Sequence, residues 1–160
     1  MKILTTITAE KLTKFAYLIG TIMYVGGILS HIVISAVLGE TDLQAVYYTS
    51  VYKEESAYIL ILPGLALKLL AAFVMGRSYQ IKPLWLKVQF ACMAFLTINA
   101  FVFLVPMMPE LRELAAQNIE LGYLSDLYQS RAHTEMLIGI SNVVPLILVL
   151  VLGVFGPKSS

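Results

Sequence analysis

The sequence predicts an all-α membrane protein, an antiparallel bundle of four transmembrane helices with both termini in the cytoplasm. Three observations support this: the composition, the length of four apolar runs and the placement of basic residues. Of the 160 residues, 59% are hydrophobic and 13% are charged, whereas a soluble domain carries about 25% charged residues. The net charge is only +1, so the composition gives no indication of a nucleic-acid partner. We therefore expect the lipid bilayer to surround this chain.

Four apolar runs predict four spans, at about 15–38, 57–76, 88–105 and 136–155. Each is about 18 to 24 residues long, and roughly 20 residues are needed to cross a ~30 Å hydrocarbon core. Only helices and closed barrels satisfy their own backbone groups in lipid, and runs this long exclude barrel strands. We expect residues 1–160 to form a single four-helix transmembrane domain.

The basic residues predict the orientation. The side that holds both termini carries Lys2, Lys11, Lys14, Arg77, Lys82, Lys87 and Lys158, and the other side has only Lys53, Arg112 and Arg131. Loops rich in lysine and arginine stay in the cytoplasm. Both termini are therefore predicted to be cytoplasmic, and the two long acidic connections are predicted to lie outside.

Each outer connection has a helix signal of its own. In residues 40–56, Thr41 and Asp42 suit a helix N-cap, so a helix running towards the second span is expected. Residues 109–121 begin with Pro109, place apolar side chains on one side and stop before Gly122, which predicts a short amphipathic outer helix.

One face of the first span is small and polar. At helical spacing it carries Gly20, Tyr24, Gly27, His31 and Ser35. Such faces usually meet other helices rather than lipid. His31 is therefore predicted to point into the bundle.

The other spans offer polar side chains at the same depth. Asn99 and Asn142 each lie ~9 Å below the outer boundary by helical rise, and Glu135 shares a face with Asn142. Interhelical hydrogen bonds of ~0.6 kcal/mol each would be a sufficient explanation for the two asparagines alone.

Lys68 is the strongest anomaly, because a charge at this depth costs about 2.5–3.5 kcal/mol on insertion scales. Side chains lean towards the N-terminus of the helix that carries them, so the ammonium group of Lys68 would reach towards the level of His31. Snorkelling in the opposite direction, to the cytoplasmic interface, is the alternative. Without a close anion, Lys68 must be hydrated, neutral or balanced by an anionic ligand. These polar residues predict an outward-opening cavity lined by His31, Lys68, Asn99, Asn142, Tyr24 and Glu135.

A metal or haem site has weaker support. The two histidines, His31 and His133, suggest haem b with two axial ligands, but His133 should lie ~10 Å above His31 by helical rise. A single-histidine haem or a copper ion at His31 remains open. No nucleophile–base pair, phosphate loop or carboxylate dyad can be assembled, which favours a non-enzymatic role.

Several short motifs carry a family resemblance. They are the aromatic-x-Gly-Gly of Tyr24, Gly26 and Gly27, the Pro-Gly of Pro63 and Gly64, and the terminal Gly-x-x-Gly-Pro-Lys run. With them the chain resembles uncharacterised bacterial four-helix membrane proteins that are similar to the copper-resistance protein D group. The resemblance implies a multi-pass protein of the bacterial inner membrane and, loosely, copper or haem chemistry.

The preferred hypothesis is an inner-membrane protein whose outward-opening cavity binds a small ligand or cofactor. It would act as an accessory subunit of a larger membrane complex or as a homo-oligomer. One alternative is a haem- or copper-dependent membrane redox protein. The other is a scaffold subunit in which the polar residues only hold the helices together.

Overall fold

The computed structural model describes residues 2–38, 42–77 and 83–155, with side chains described at 9–38, 42–77 and 83–153. Within these ranges the chain is helical with short turns and contains no strand. Four helical stretches are long and apolar enough to cross a membrane: Ala9–Leu38, Leu43–Gly76, Leu84–Leu121 and Asp126–Gly153. The predicted all-helical fold class with four candidate spans is therefore confirmed. Lys82 and Lys158, which entered the predicted orientation, lie outside the described residues, as does the side chain of Lys2.

The four stretches are built from α-helices joined end to end. These are α1 (Lys2–Leu38), α2 (Leu43–Ser56), α3 (Leu62–Gly76), α4 (Leu84–Ile98), α5 (Val105–Leu121), α6 (Asp126–Ser141) and α7 (Val143–Phe155). A π-helical segment at Ala57–Ile61 joins α2 to α3, and another at Asn99–Leu104 joins α4 to α5. Helix α6 gives way to α7 at Asn142.

Prolines account for these three irregular turns. Pro63 and Pro106 each stand in the first turn of the helix that follows a π-segment, and Pro145 follows three residues after Asn142. Proline has no backbone N–H, and its ring pushes away the carbonyl four residues earlier, so the preceding turn widens or tightens. The turn before Pro145 tightens, since the N–H of Asn142 bonds the carbonyl of Gly139 at 3.1 Å.

Both expected outer helices exist, but neither is a separate element. Helix α2 begins after Asp42, whose carboxylate accepts from the N–H groups of Gln44 and Ala45 at 3.1 and 3.3 Å. It then continues through the π-segment into α3. The outer amphipathic helix predicted at 109–121 does not begin at Pro109, which lies inside α5; this helix ends before Gly122, a left-handed residue with φ 78°. The widened turn precedes Pro106, and Pro109 lies three residues further on, within α5.

The second and third long helices exceed the thickness of a bilayer core. They contain 34 and 38 residues, which at 1.5 Å per residue is about 51 and 57 Å against a ~30 Å core. All four long helices expose large apolar side chains, for example Phe15, Leu70, Phe101 and Val144. Exposed apolar faces on this scale suit contact with lipid along part of each helix and an aqueous surface beyond it.

Backbone contact joins α1 to α3. A Cβ atom on Gly20 would lie 2.7 Å from the backbone nitrogen of Lys68 and 2.8 Å from the carbonyl oxygen of Gly64. A Cβ atom on Gly64 would lie 2.6 Å from the backbone nitrogen of Tyr24. Small residues allow helices in membranes to approach this closely and gain van der Waals contact. The predicted small face of the first span therefore meets the second long helix.

The buried core lies beside this contact. It contains Tyr24, Leu65, Ala72, Met93, Leu96, Ala100 and Val149. These residues come from α1, α3, α4, the second π-segment and α7, so all four long helices contribute to one core.

At the other end of the molecule, ion pairs tie α2, α5 and α6 together. Lys53 contacts Glu135 at 3.0 Å, and Arg131 contacts Glu110 at 2.9 Å. The Oε2 of Glu54 also lies 2.9 Å from a guanidinium nitrogen of Arg112. The two atoms form an ion pair, but their geometry is not that of a hydrogen bond. Because these partners lie on different helices, the pairs fix the mutual positions of the three helix segments.

The glycine contact gives a direct test of the packing. Replacing Gly20 with Ala should destabilise the protein by about 1–3 kcal/mol, since the new methyl group meets backbone atoms that cannot move aside cheaply. Gly26→Ala is the matched control, because a Cβ there has no neighbour within 4 Å. Thermal unfolding in detergent, followed by circular dichroism, measures both. Equal loss of stability in the two variants would show that α1 and α3 are not in backbone contact.

Candidate functional site

His31 lies on α1 and is held by the end of α2. Its Nε2 is 2.6 Å from the Oγ of Ser56, whose hydroxyl also donates to the carbonyl of Lys53 at 3.3 Å. A hydroxyl has one proton, so in this arrangement the imidazole N–H donates to Ser56. The ring of Tyr52 meets the imidazole edge-on, with 6.3 Å between ring centroids. The histidine is thus oriented by one hydrogen bond and one aromatic contact.

A groove of about 330 Å³ adjoins this histidine. It is lined by Tyr52, Glu55, Ser56, Ile59 and Leu60. Ser56 and Tyr52 both contact His31, so the groove and the imidazole share a wall. Its apolar lining comes from the π-helical segment at Ala57–Ile61, and such segments occur often at functional sites.

Asn99 and Asn142 form a second polar contact. The Nδ2 of Asn99 donates to the Oδ1 of Asn142 at 2.7 Å and approaches the hydroxyl of Ser141 at 3.2 Å. Both asparagines are buried. They stand at the irregular turns of the third and fourth long helices, which this contact joins.

Lys68 occupies a third position, apart from the His31 groove and the asparagine pair. Its side chain is 1% exposed, and its Nζ has no hydrogen-bond partner within the described part of the chain. The Nζ lies 5.4 Å from the ring centroid of Tyr17, which is one helix turn before Gly20. The expected reach towards His31 is therefore not observed. The ammonium instead lies beside the N-terminal half of α1, in the direction that the sequence offered as the alternative.

The remaining predicted residues also separate. Glu135 pairs with Lys53 rather than standing alone above Lys68. Tyr24 is 2% exposed and belongs to the apolar core. The six residues of the predicted cavity are thus divided among the His31 groove, the asparagine pair, the Lys68 position, an ion pair and the core.

Comparison with known proteins gives no relative from which a function could be transferred. No family model, no curated protein and no solved structure matches the chain. Its function must therefore be inferred from its own residues.

The part of the chain that the structure describes does not bring the two histidines together as a pair of haem ligands. Two axial histidines would have to meet at one iron, yet His31 Nε2 contacts Ser56 and His133 is exposed on α6. In the ranges that the structure describes, no three His, Cys, Asp or Glu side chains are placed to hold a metal ion. The residues present do not fit a bis-histidine haem, and a single-ligand site at His31 stays a prediction.

The sequence analysis does not identify several of the residues that contact the candidate site residues. Ser56 lies in the connection for which a helix running towards the second span is predicted, but the sequence analysis does not name it as a partner of His31. Tyr17 lies three residues before Gly20, on the same face, so the helical spacing already contained it. Gln89 is the one polar member of the buried series Leu86, Gln89, Met93 and Leu96. Lys53 had no local signal, because its partner Glu135 is 82 residues away.

The asparagine contact can be tested by a double-mutant cycle. Asn99→Ala and Asn142→Ala should each destabilise the protein, and their coupling should be about 0.6 kcal/mol and no more than about 1.7 kcal/mol. Unfolding of the two single variants and the double variant in mixed micelles gives this value. Asn99→Ala combined with Thr134→Ala, an exposed position, should be additive. Additivity of the asparagine pair would mean that the hydrogen bond contributes nothing.

Proposed function

We propose that this protein is a non-enzymatic, multi-pass protein of the bacterial inner membrane that binds a small lipid-soluble ligand at its outer side. The observation that carries the proposal is the imidazole of His31, oriented by Ser56 beside an open groove. An ionisable residue within a transmembrane helix is costly and usually functional. A ring that is held in one orientation can offer a hydrogen bond in a fixed direction.

The lining of the groove suggests the class of ligand. Its surface is almost wholly apolar, and its lining residues are Tyr52, Ile59 and Leu60 together with the polar residues Ser56 and Glu55. Binding sites of this kind are mostly apolar with a few polar groups that orient the ligand. The ligand that fits is amphiphilic, with a hydroxyl head that can donate a hydrogen bond to His31 or Ser56 and an apolar tail that remains in lipid.

The proposed topology is an antiparallel bundle with both termini in the cytoplasm. It is supported by the distribution of lysine and arginine and by the order of contacts between α1 and the second long helix. Gly20 contacts Lys68 and Gly64, and His31, further along α1, contacts the earlier residue Ser56. This topology puts His31, the groove and the ion pairs at the outer side of the membrane.

The role in a larger assembly is part of the proposal. The exposed apolar faces of the long helices can pack against lipid, a further membrane subunit or a second copy of this chain. The relationship to the copper-resistance protein D group likewise stays a proposal. The scaffold alternative draws its support from Asn99 and Asn142, whose mutual hydrogen bond holds two helices together and needs no ligand.

The topology predicts which sites can be labelled from outside. With Cys92 replaced by Ala, single cysteines at the exposed positions Gln44 and Gln117 should react with a membrane-impermeant maleimide in intact spheroplasts. A cysteine at exposed Lys87 should react only after permeabilisation. The opposite labelling pattern would mean that the protein has the opposite orientation in the membrane and that the His31 groove lies on the cytoplasmic side.

The ligand proposal predicts that a lipid-soluble compound accompanies the protein. After extraction into copolymer nanodiscs, the purified wild type should carry one enriched compound in organic extracts analysed by mass spectrometry. Loss of one hydrogen bond of about 1.4 kcal/mol lowers binding about tenfold, so His31→Phe and Ser56→Ala should deplete it by about that factor.

His133→Phe is the matched control, since that histidine is exposed and is not among the residues that line the groove. It should retain the compound at the wild-type level. Equal extracts from wild type and His31→Phe, or a wild type with no enriched compound, would contradict the proposed binding site.

A further inference from the structure

Glu55 is a carboxylate at the groove that the proposed function does not use. Its side chain is part of the lining, and the residue as a whole is exposed. Because the groove surface is almost wholly apolar, the methylene groups of Glu55 face the groove and its carboxylate lies at the edge. A negative charge therefore stands at the rim of a site that otherwise suits an apolar chain.

The groove runs along one face of the second long helix. Four of its lining residues have the i, i+3, i+4 and i+7 spacing of a single helical face: Tyr52, Glu55, Ser56 and Ile59. Glu55 and Ser56 are the last residues of α2, whereas Ile59 and Leu60 belong to the π-helical segment that follows. The groove thus has a polar end and an aliphatic end, which is the arrangement that an amphiphile requires.

In the described part of the chain, no basic residue pairs with Glu55. Residues 39–56 and 105–135, which form this end of the molecule, contain three basic residues in all. Each of them is in an ion pair: Lys53 with Glu135, Arg112 with Glu54, and Arg131 with Glu110. The carboxylate of Glu55 is therefore available to a cation from outside the chain.

The charges at this end of the molecule favour a positively charged ligand. The same two stretches contain nine acidic residues against the three basic ones. An excess of one sign of charge beside a cleft raises the local concentration of ligands of the opposite sign. The ring of Tyr52, which also lines the groove, is a suitable neighbour, since aromatic rings attract ammonium groups.

We propose that the groove selects amphiphiles with a cationic ammonium head and that the carboxylate of Glu55 is the counter-charge. This inference rests on the proposed function, because it names the charge of the ligand that the His31 groove binds. The hydroxyl group of the ligand bonds to His31 or Ser56. Its apolar chain follows Ile59 and Leu60, and its ammonium group lies beside Glu55 at the rim.

A single-chain cationic amphiphile suits this site better than a bilayer phospholipid. The head of phosphatidylethanolamine also contains an ammonium group, but it carries a phosphate group as well. The negative charge of that phosphate would lie among the acidic residues of this end and be repelled by them. The ligand is therefore one with a net positive charge.

The test compares two ligands that differ only at the charged group. Dodecyl(hydroxyethyl)dimethylammonium and dodecyl hydroxyethyl ether share the dodecyl chain and the hydroxyl group, and only the first is a cation. Each compound, labelled with tritium, is titrated against the full chain in phosphatidylcholine nanodiscs, and empty nanodiscs give the lipid background. The wild type should bind the cation about fivefold more tightly than the ether, which is the upper range for an exposed ion pair.

Glu55→Gln should remove this preference and leave binding of the ether unchanged, which also shows that the groove is intact. Glu113→Gln is the matched control and should keep the preference. Glu113 is exposed at the same end of the molecule, forms no ion pair within the described ranges and does not line the groove. His31→Phe should weaken the binding of both ligands by the same factor, because the hydroxyl group is common to them.

Equal binding of the two ligands to the wild type would overturn the proposed charge selection and leave the groove as a site for neutral amphiphiles. An unchanged preference in Glu55→Gln, loss of both ligands in that variant, or an equal loss of preference in Glu113→Gln would also overturn it. So would displacement of the cation by phosphatidylethanolamine added to the nanodiscs. Saturable binding of neither ligand would contradict the proposed function itself.

Discussion

The backbone contact between α1 and α3 is the constraint on which the other features depend. Gly20 and Gly64 let the two helices approach until side-chain atoms cannot fit between them. This buries Lys68, whose backbone lies directly on Gly20, and it places Tyr24 in the core. It also sets the register further along, because His31 follows Gly20 by eleven residues and meets Ser56 at the matching distance along the second long helix.

Irregular turns before proline determine where the polar groups of the interior lie. A widened turn frees carbonyl groups that lipid cannot satisfy, so side chains or neighbouring helices must do so. At the tightened turn before Pro145, Ser141 donates to the carbonyl of Ile138 at 2.7 Å. Asn99 and Asn142 stand at two such turns and bond each other. Asn99 and Asn142 therefore serve the helix breaks themselves, whereas this role does not explain His31 or Lys68.

The sequence predicted the fold class and the faces of the helices because those depend on local quantities. The length of an apolar run and the spacing of small residues act within one helix. Such reasoning was sufficient for four candidate spans and for the inward face that contains Gly20, Tyr24 and Gly27. It was also sufficient to bring Asn99 and Asn142 to one depth, since both were counted from the end of their own span. It misplaced the start of the outer helix, because Pro109 can either begin a helix or continue one.

What the sequence determined by itself is thus a set of apolar helices and the faces on which their small and polar residues lie. Only the tertiary structure decided which faces meet. In the structure Glu135 pairs with Lys53, and His31 contacts Ser56. Lys68 lies beside Tyr17 instead of in one layer with the other predicted polar residues. Those pairings depend on the rotation and approach of whole helices. Both are set by contacts such as Gly20 against Gly64, between residues far apart in the chain, and no local pattern encodes them.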